Sequence, residues 1–142
     1  NVLSGLAGND SLSGAAGDDL LLGGAGLDRL FAAVGLDTLA GGTGSDVFVA
    51  TEAGLDGLDV IADFDALPGG DVLDLGDLLI GFDAAVGNIN DFLSANTADG
   101  STTIQVDRDG QANGVAFVDL AVLQGVSTDV NGLLNNGSLA LD

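Results

Sequence analysis

Large apolar residues return every nine positions through the first third of the chain, at Leu12, Leu21, Leu30, Leu39 and Phe48. Asp10, Asp19, Asp28, Asp37 and Asp46 stand two residues before them, and Gly8, Gly17, Gly26, Gly35 and Gly44 keep the same interval. Gly5, Gly14, Gly23 and Gly41 open four of the five units. The units are GLAGNDSLS, GAAGDDLLL, GGAGLDRLF, AAVGLDTLA and GGTGSDVFV, and Asn1–Ser4 reads as the end of another whose start precedes the chain. The glycine-rich half of each unit predicts a tight turn, because glycine reaches backbone angles closed to other residues. The remaining triplet predicts a short strand whose central side chain points inward while its neighbours point outward. A fixed period of this kind marks a stack of identical turns.

After Val49 the period stops. Ala50–Leu58 reads as a loop, and longer apolar stretches follow. Leu58–Phe64 and Asp71–Leu75 are predicted strands on either side of a turn at Pro68–Gly70. Asn88–Leu93 predicts a short helix capped by Asn88. Ser101–Val106 and Val115–Leu123 alternate as paired strands joined by the loop Asp107–Gly114. Thr128–Leu134, with Thr128 as N-cap, leads to a last strand at Ser138–Leu141. Residues 51–142 therefore read as a small, mostly β cap behind a repeat region of residues 1–50.

Composition changes what the repeats imply. Twenty-two acids face only Arg29 and Arg108, for a net charge of −20, yet 46% of the residues are apolar. Such charge opposes collapse while such hydrophobicity favours it, so the chain is expected to need cations to fold. Two arginines make no basic patch, which excludes nucleic acid as a partner. Without cysteine or histidine there are no disulfides and no usual zinc ligands. Abundant oxygen ligands suit calcium instead. No apolar run approaches the ~20 residues of a membrane span, so membrane insertion is not expected. The chain begins at Asn1 without a signal peptide and reads as an excised fragment.

The units resemble the RTX nonapeptide GGxGxDxUx, in which U is a large apolar residue. Gly41–Val49 matches best, and Ala32–Ala40 departs by carrying Ala32 and Ala33 in place of the two leading glycines. The resemblance implies an all-β chain: a parallel β-roll, two nonapeptides per turn, with calcium in the loops. Positions eighteen apart would then stack at about 4.8 Å. Asp10, Asp28 and Asp46 would line one edge, and Asp19 and Asp37 the other. Stacked carboxylates without a counter-ion repel by roughly 1–4 kcal/mol per pair in a screened setting, and calcium reverses that sign. By the family's pattern one site joins Gly5, Ala7 and Asp10 to Gly24, Gly26 and Asp28. The next joins Gly23, Ala25 and Asp28 to Gly42, Gly44 and Asp46. Across the roll, Gly14, Ala16 and Asp19 face Ala33, Gly35 and Asp37. The aspartates would act through side chains and the rest through carbonyls. Asp28, between Asp10 and Asp46, is expected to matter more than Asp46.

Other acids give weaker signals. Asp59 and Asp63 flank Ile61 on one side of a predicted strand, where they read equally as ligands of a calcium closing the roll or as a solvated acidic edge. Asp107, Asp109 and Asn113 fall in a loop lacking the EF-hand glycine and glutamate spacing, so a hairpin turn is expected there. Asp74 and Asp77, bracketing Gly76, read as caps of a turn.

GGTGSDVFV, DVIADF, DVLDLGDLL, LQGV and the terminal NNGSLALD resemble the C-terminal target domain of type I secretion substrates, found especially on very large RTX adhesins. That implies an uncleaved signal at the extreme C-terminus, read by an ABC transporter with its adaptor and outer-membrane channel. The expected function is a calcium-triggered folding and export module, monomeric, secreted or displayed on a bacterial cell surface, with no activity of its own. The RTX tail of a protease or lipase is an alternative parent, and a ligand-binding adhesion module another. Catalysis within the chain is not expected, since serines lack a histidine base and no carboxylate pair is singled out. Ice binding is disfavoured because the turns carry no Thr/Asn ladder. The outward residues Phe31, Val47 and Val49 would form an apolar patch, so the cap is expected to fold back over that outer face.

Overall fold

A computed structural model describes residues 1–51, 57–79, 87–107 and 117–141. Its nonapeptides wind into an all-β, parallel β-roll. β1 (Val2–Ala7), β3 (Leu20–Ala25) and β5 (Thr38–Thr43) lie side by side in one sheet. β2 (Ser11–Ser13), β4 (Arg29–Phe31) and β6 (Val47–Val49) lie in the other. All neighbours are parallel and in the eighteen-residue register, as in Leu21↔Leu39 and Leu30↔Phe48. Leu21, Leu30, Leu39 and Phe48 are buried between the sheets, as the alternation requires.

Strands of the first sheet are six residues long, twice the triplet expected from the pattern. They run on through the leading positions of the next unit because Gly24 pairs with Gly42 and Ala25 with Thr43. The second position of each unit needs a left-handed backbone. Gly24 and Gly42 take it at φ of 114° and 98°, while Leu6, Ala15 and Ala33 take it at 75°, 73° and 75°. A side chain there costs about 1–2 kcal/mol, so the departure at Ala33 strains the turn without changing its path.

Beyond the repeats both sheets continue. β7 (Asp59–Ile61) adds to β5 with Ile61 opposite Leu39, and β8 (Val72–Asp74) adds to β6 with Leu73 opposite Phe48. β11 (Val118–Leu123) pairs parallel with β7, and β10 (Ser101–Val106) and β9 (Leu93–Ala98) follow antiparallel. The terminal β12 (Leu139–Ala140) pairs parallel with β8. Among the described residues the cap therefore lengthens the roll and does not fold back over its outer face. Extension provides partners for the open backbone edges of β5 and β6 and prolongs their inner core, whereas a cover would bury apolar surface alone. Phe48 meets Phe64 with ring centroids 5.8 Å apart, and the core runs on through Leu73, Leu75, Leu120 and Leu133. The outer patch is covered locally. The Arg29 guanidinium lies 5.5 Å from the Phe31 ring and 3.3 Å from the Asp74 carboxylate.

Smaller expectations shift as well. The 88–93 helix is a single 3-10 turn at Ile89–Asp91, capped by Asn88, and Leu93 already begins β9. Asp129, not Thr128, caps the helix α1 (Val130–Asn136), accepting from Gly132 N–H at 2.7 Å. Asp74 accepts from Gly76 N–H, as a turn cap does. Asp109 and Asn113, with most of the 107–114 loop, lie outside the described residues, as does much of the expected 50–58 loop. No helix among the described residues is long and apolar enough to cross a membrane.

Candidate metal centre

The aspartates stack in two columns tied by one repeated contact. Asp28 Oδ1 accepts the Asp10 N–H and Asp46 Oδ1 the Asp28 N–H, each at 2.8 Å. On the other edge Asp37 Oδ1 accepts the Asp19 N–H at 2.8 Å. The contact recurs past the repeats, where Asp59 Oδ1 accepts from Asp37 at 2.9 Å and Asp71 Oδ1 from Asp46 at 2.8 Å. The columns thus continue although the spacing has widened to 22 and 25 residues. Sequence reasoning missed Asp71. Its signal was the stretch Asp71-Val72-Leu73, which repeats Asp46-Val47-Phe48 after a longer turn.

The second oxygen of these carboxylates is the unusual one. Oδ2 of Asp10, Asp19, Asp28 and Asp46 is buried and has no hydrogen-bond partner. Each lies against the first glycine of its own turn, and those of Asp10, Asp19 and Asp28 also lie beside a carbonyl of the turn that follows. A Cβ added at Gly5 would stand 2.5 Å from Asp10 Oδ2 and 2.6 Å from the Gly23 carbonyl. At Gly23 the same figures hold for Asp28 Oδ2 and the Gly41 carbonyl, and at Gly14 they are 2.7 and 2.9 Å for Asp19 Oδ2 and the Ala32 carbonyl. Glycine is needed here for close approach, not for its φ. A buried polar atom left unpaired costs about 1–3 kcal/mol, and more when charged. Burial pushes the Asp46 carboxyl above the ordinary range, with the charges of Asp28 and Asp63 adding to it. Burial does the same to Asp71, where Asp46 and Asp63 add their charge.

The expected ligand groups face one another across successive turns. Ala7 pairs with Ala25, the Leu6 carbonyl abuts Gly24, and the Gly8 carbonyl abuts Gly26. One turn on, the carbonyls of Gly24 and Gly26 abut Gly42 and Gly44. Across the roll Ala16 bridges Val34, next to Ala33, and the Gly17 carbonyl abuts Gly35. The Ala25 carbonyl also accepts the Gly8 N–H at 2.8 Å, leaving one lone pair for a cation. Asp59 and Asp63 are not brought together by one strand, because β7 ends at Ile61. Asp63 instead accepts from Gly41 and Gly42 N–H, each at 2.9 Å.

Among the described residues no three acidic side chains gather closely enough to hold a metal by themselves. A cation here would rest on one or two carboxylates and a set of carbonyls. Six to eight oxygens at flexible geometry is the chemistry of calcium, not of zinc or a transition metal.

One comparison with known proteins bears on the repeats. Residues 1–30 and 31–51 match the family described as RTX calcium-binding nonapeptide repeat (4 copies). No curated protein matches the chain. Among solved structures the chain is similar to the solution structure of the AlgE6R3 subunit from the Azotobacter vinelandii mannuronan C5-epimerase. Identity is 24% and the TM-score 0.32, over 94% of this chain and 75% of that one. Residues 1–51, about a third of the chain, are thus similar to RTX calcium-binding nonapeptide repeats.

Proposed function

We propose that the chain is a non-catalytic module that folds when it meets extracellular calcium and carries a type I secretion signal at its C-terminus. It would belong to a secreted or surface-displayed protein of the large-adhesin kind, with residues 1–50 as the calcium roll and 51–142 as cap and signal. The observation that carries the calcium half is the row of buried, unpartnered Oδ2 atoms at Asp10, Asp19, Asp28 and Asp46. These residues and the turn carbonyls around them would hold the ions. Neutralising the row removes the repulsion and desolvation that oppose stacking, so calcium binding and folding become one event. Extracellular calcium modules work at about 10⁻⁴–10⁻³ M, so the chain would stay unfolded and threadable inside the cell. Far-UV circular dichroism should show a coil-to-β change as calcium reaches millimolar levels, reversed by chelator. An ordered roll in excess chelator would sink this reading.

The export half rests on the terminal NNGSLALD and on the place of the last strand at the edge of its sheet. β12 is two residues long and pairs only with β8 among the described strands. Removing residues 137–142 takes away the carbonyls of Ser138 and Ala140 that accept from Leu73 and Leu75, a loss confined to the cap. Export through an ABC transporter, adaptor and outer-membrane channel should cease, while the calcium midpoint of residues 5–49 stays near that of the intact chain. Normal export of the shortened chain would place the signal elsewhere.

A further inference from the structure

We infer that the row of cations extends one site past the last nonapeptide, into a junction where Asp46 faces a carboxylate supplied by the cap, Asp63. This rests on the calcium reading above and deepens it. On the edge that holds Asp10, Asp28 and Asp46, each unpartnered Oδ2 sits beside the turn that follows: Asp10 beside the Gly23 carbonyl, Asp28 beside the Gly41 carbonyl. Three such oxygens share only two spaces between repeats. The third, on the fully buried Asp46, lies against Gly41 like its counterparts, and the turn after it belongs to the cap.

That turn is not a nonapeptide. Counting on from Leu39↔Ile61, Asp63 occupies the column of Gly5, Gly23 and Gly41, so a carboxylate enters where the repeats have a glycine. Asp63 reaches back to the N–H groups of Gly41 and Gly42, which puts it and Asp46 Oδ2 against the same residue. Its charge acts on Asp46. The nearest described basic side chain, Arg29, is engaged at Asp74 on an outer face. Two carboxylates that meet at Gly41, one of them carrying a buried unpartnered oxygen, fit a hard divalent cation. Asp71 closes the row. Its Oδ1 holds the Asp46 N–H, and its Oδ2 accepts the Asp65 N–H at 2.9 Å, so a backbone donor does there what a cation does in the repeats.

The test counts ions on the intact chain by equilibrium dialysis against calcium, backed by native mass spectrometry, for wild type, Asp63→Asn and Asp71→Asn. Asp63→Asn should bind one calcium fewer than wild type while keeping its β signal at saturation, and Asp71→Asn should keep the wild-type count. An unchanged count in Asp63→Asn overturns the junction site alone. A wild type that binds no calcium overturns the calcium reading as well. Should Asp63→Asn fail to fold, amide exchange on wild type decides the matter. Across a calcium titration, exchange at Gly41, Gly42 and Asp65 should slow with a midpoint of its own, and exchange there that only follows the repeat amides of Gly8 and Gly26, as folding alone requires, overturns the inference.

Discussion

Gly26→Ala should leave the chain without a β signal at calcium levels that fully fold the wild type, whereas Gly8→Ala should fold with a modestly raised midpoint. The two glycines hold the same place in successive turns of one edge, at φ of 147° and 121°. Both substitutions carry the left-handed penalty of about 1–2 kcal/mol. At Gly8 a new Cβ meets nothing within 4 Å, but at Gly26 it would overlap the Gly8 carbonyl oxygen. That oxygen belongs to backbone and cannot rotate away. Relief requires the turns to move apart, and overpacking of this kind adds about 1–3 kcal/mol. The stacking contact recurs at every turn, so separation at one level also weakens the cation contacts beside it. A calcium titration followed by circular dichroism compares the two variants directly. Equal midpoints would mean that the turns are not in the described register.

Asp28→Ala and Asp46→Ala should raise the calcium midpoint by similar amounts, roughly tenfold or more, as loss of a charged ligand does. Sequence alone put Asp28 ahead, because Asp46 closes the nine-residue series. The structure corrects that ranking, since Asp71 follows Asp46 in the column and takes its N–H as Asp46 takes that of Asp28. Either substitution removes one buried unpartnered oxygen and also strands a backbone N–H, at Asp10 or at Asp28, at a cost of about 1–3 kcal/mol. Asp18→Ala is the contrast. Asp18 is exposed, and its side chain holds only the Leu36 N–H, at 3.1 Å, so its midpoint should stay close to wild type. A much smaller effect at Asp46 than at Asp28 would show that the column ends with the repeats.

The repeat region was legible because each unit contains its own instructions. Glycines at the turn, an aspartate before the strand and one inward apolar residue are local choices, and a fixed period leaves a single register in which all of them agree. The inward burial of Leu21, Leu30, Leu39 and Phe48 and the two aspartate edges follow from that alone. Where the period breaks, local signals no longer determine partners. Asp71-Val72-Leu73 and Asp59-Val60-Ile61 carry the same short pattern, but their turns differ in length, and only pairing with β5 and β6 shows that they prolong the columns. Asp63 was read as a strand residue because LDVIADF alternates. Its role was decided by the end of the ladder, where Gly41 and Gly42 N–H needed acceptors. The direction of the cap was likewise a tertiary matter. An apolar outer patch argues for a cover, but the open edges of β5 and β6 offer hydrogen bonds and core together, and one arginine over Phe31 shields the patch at far less cost in ordered chain.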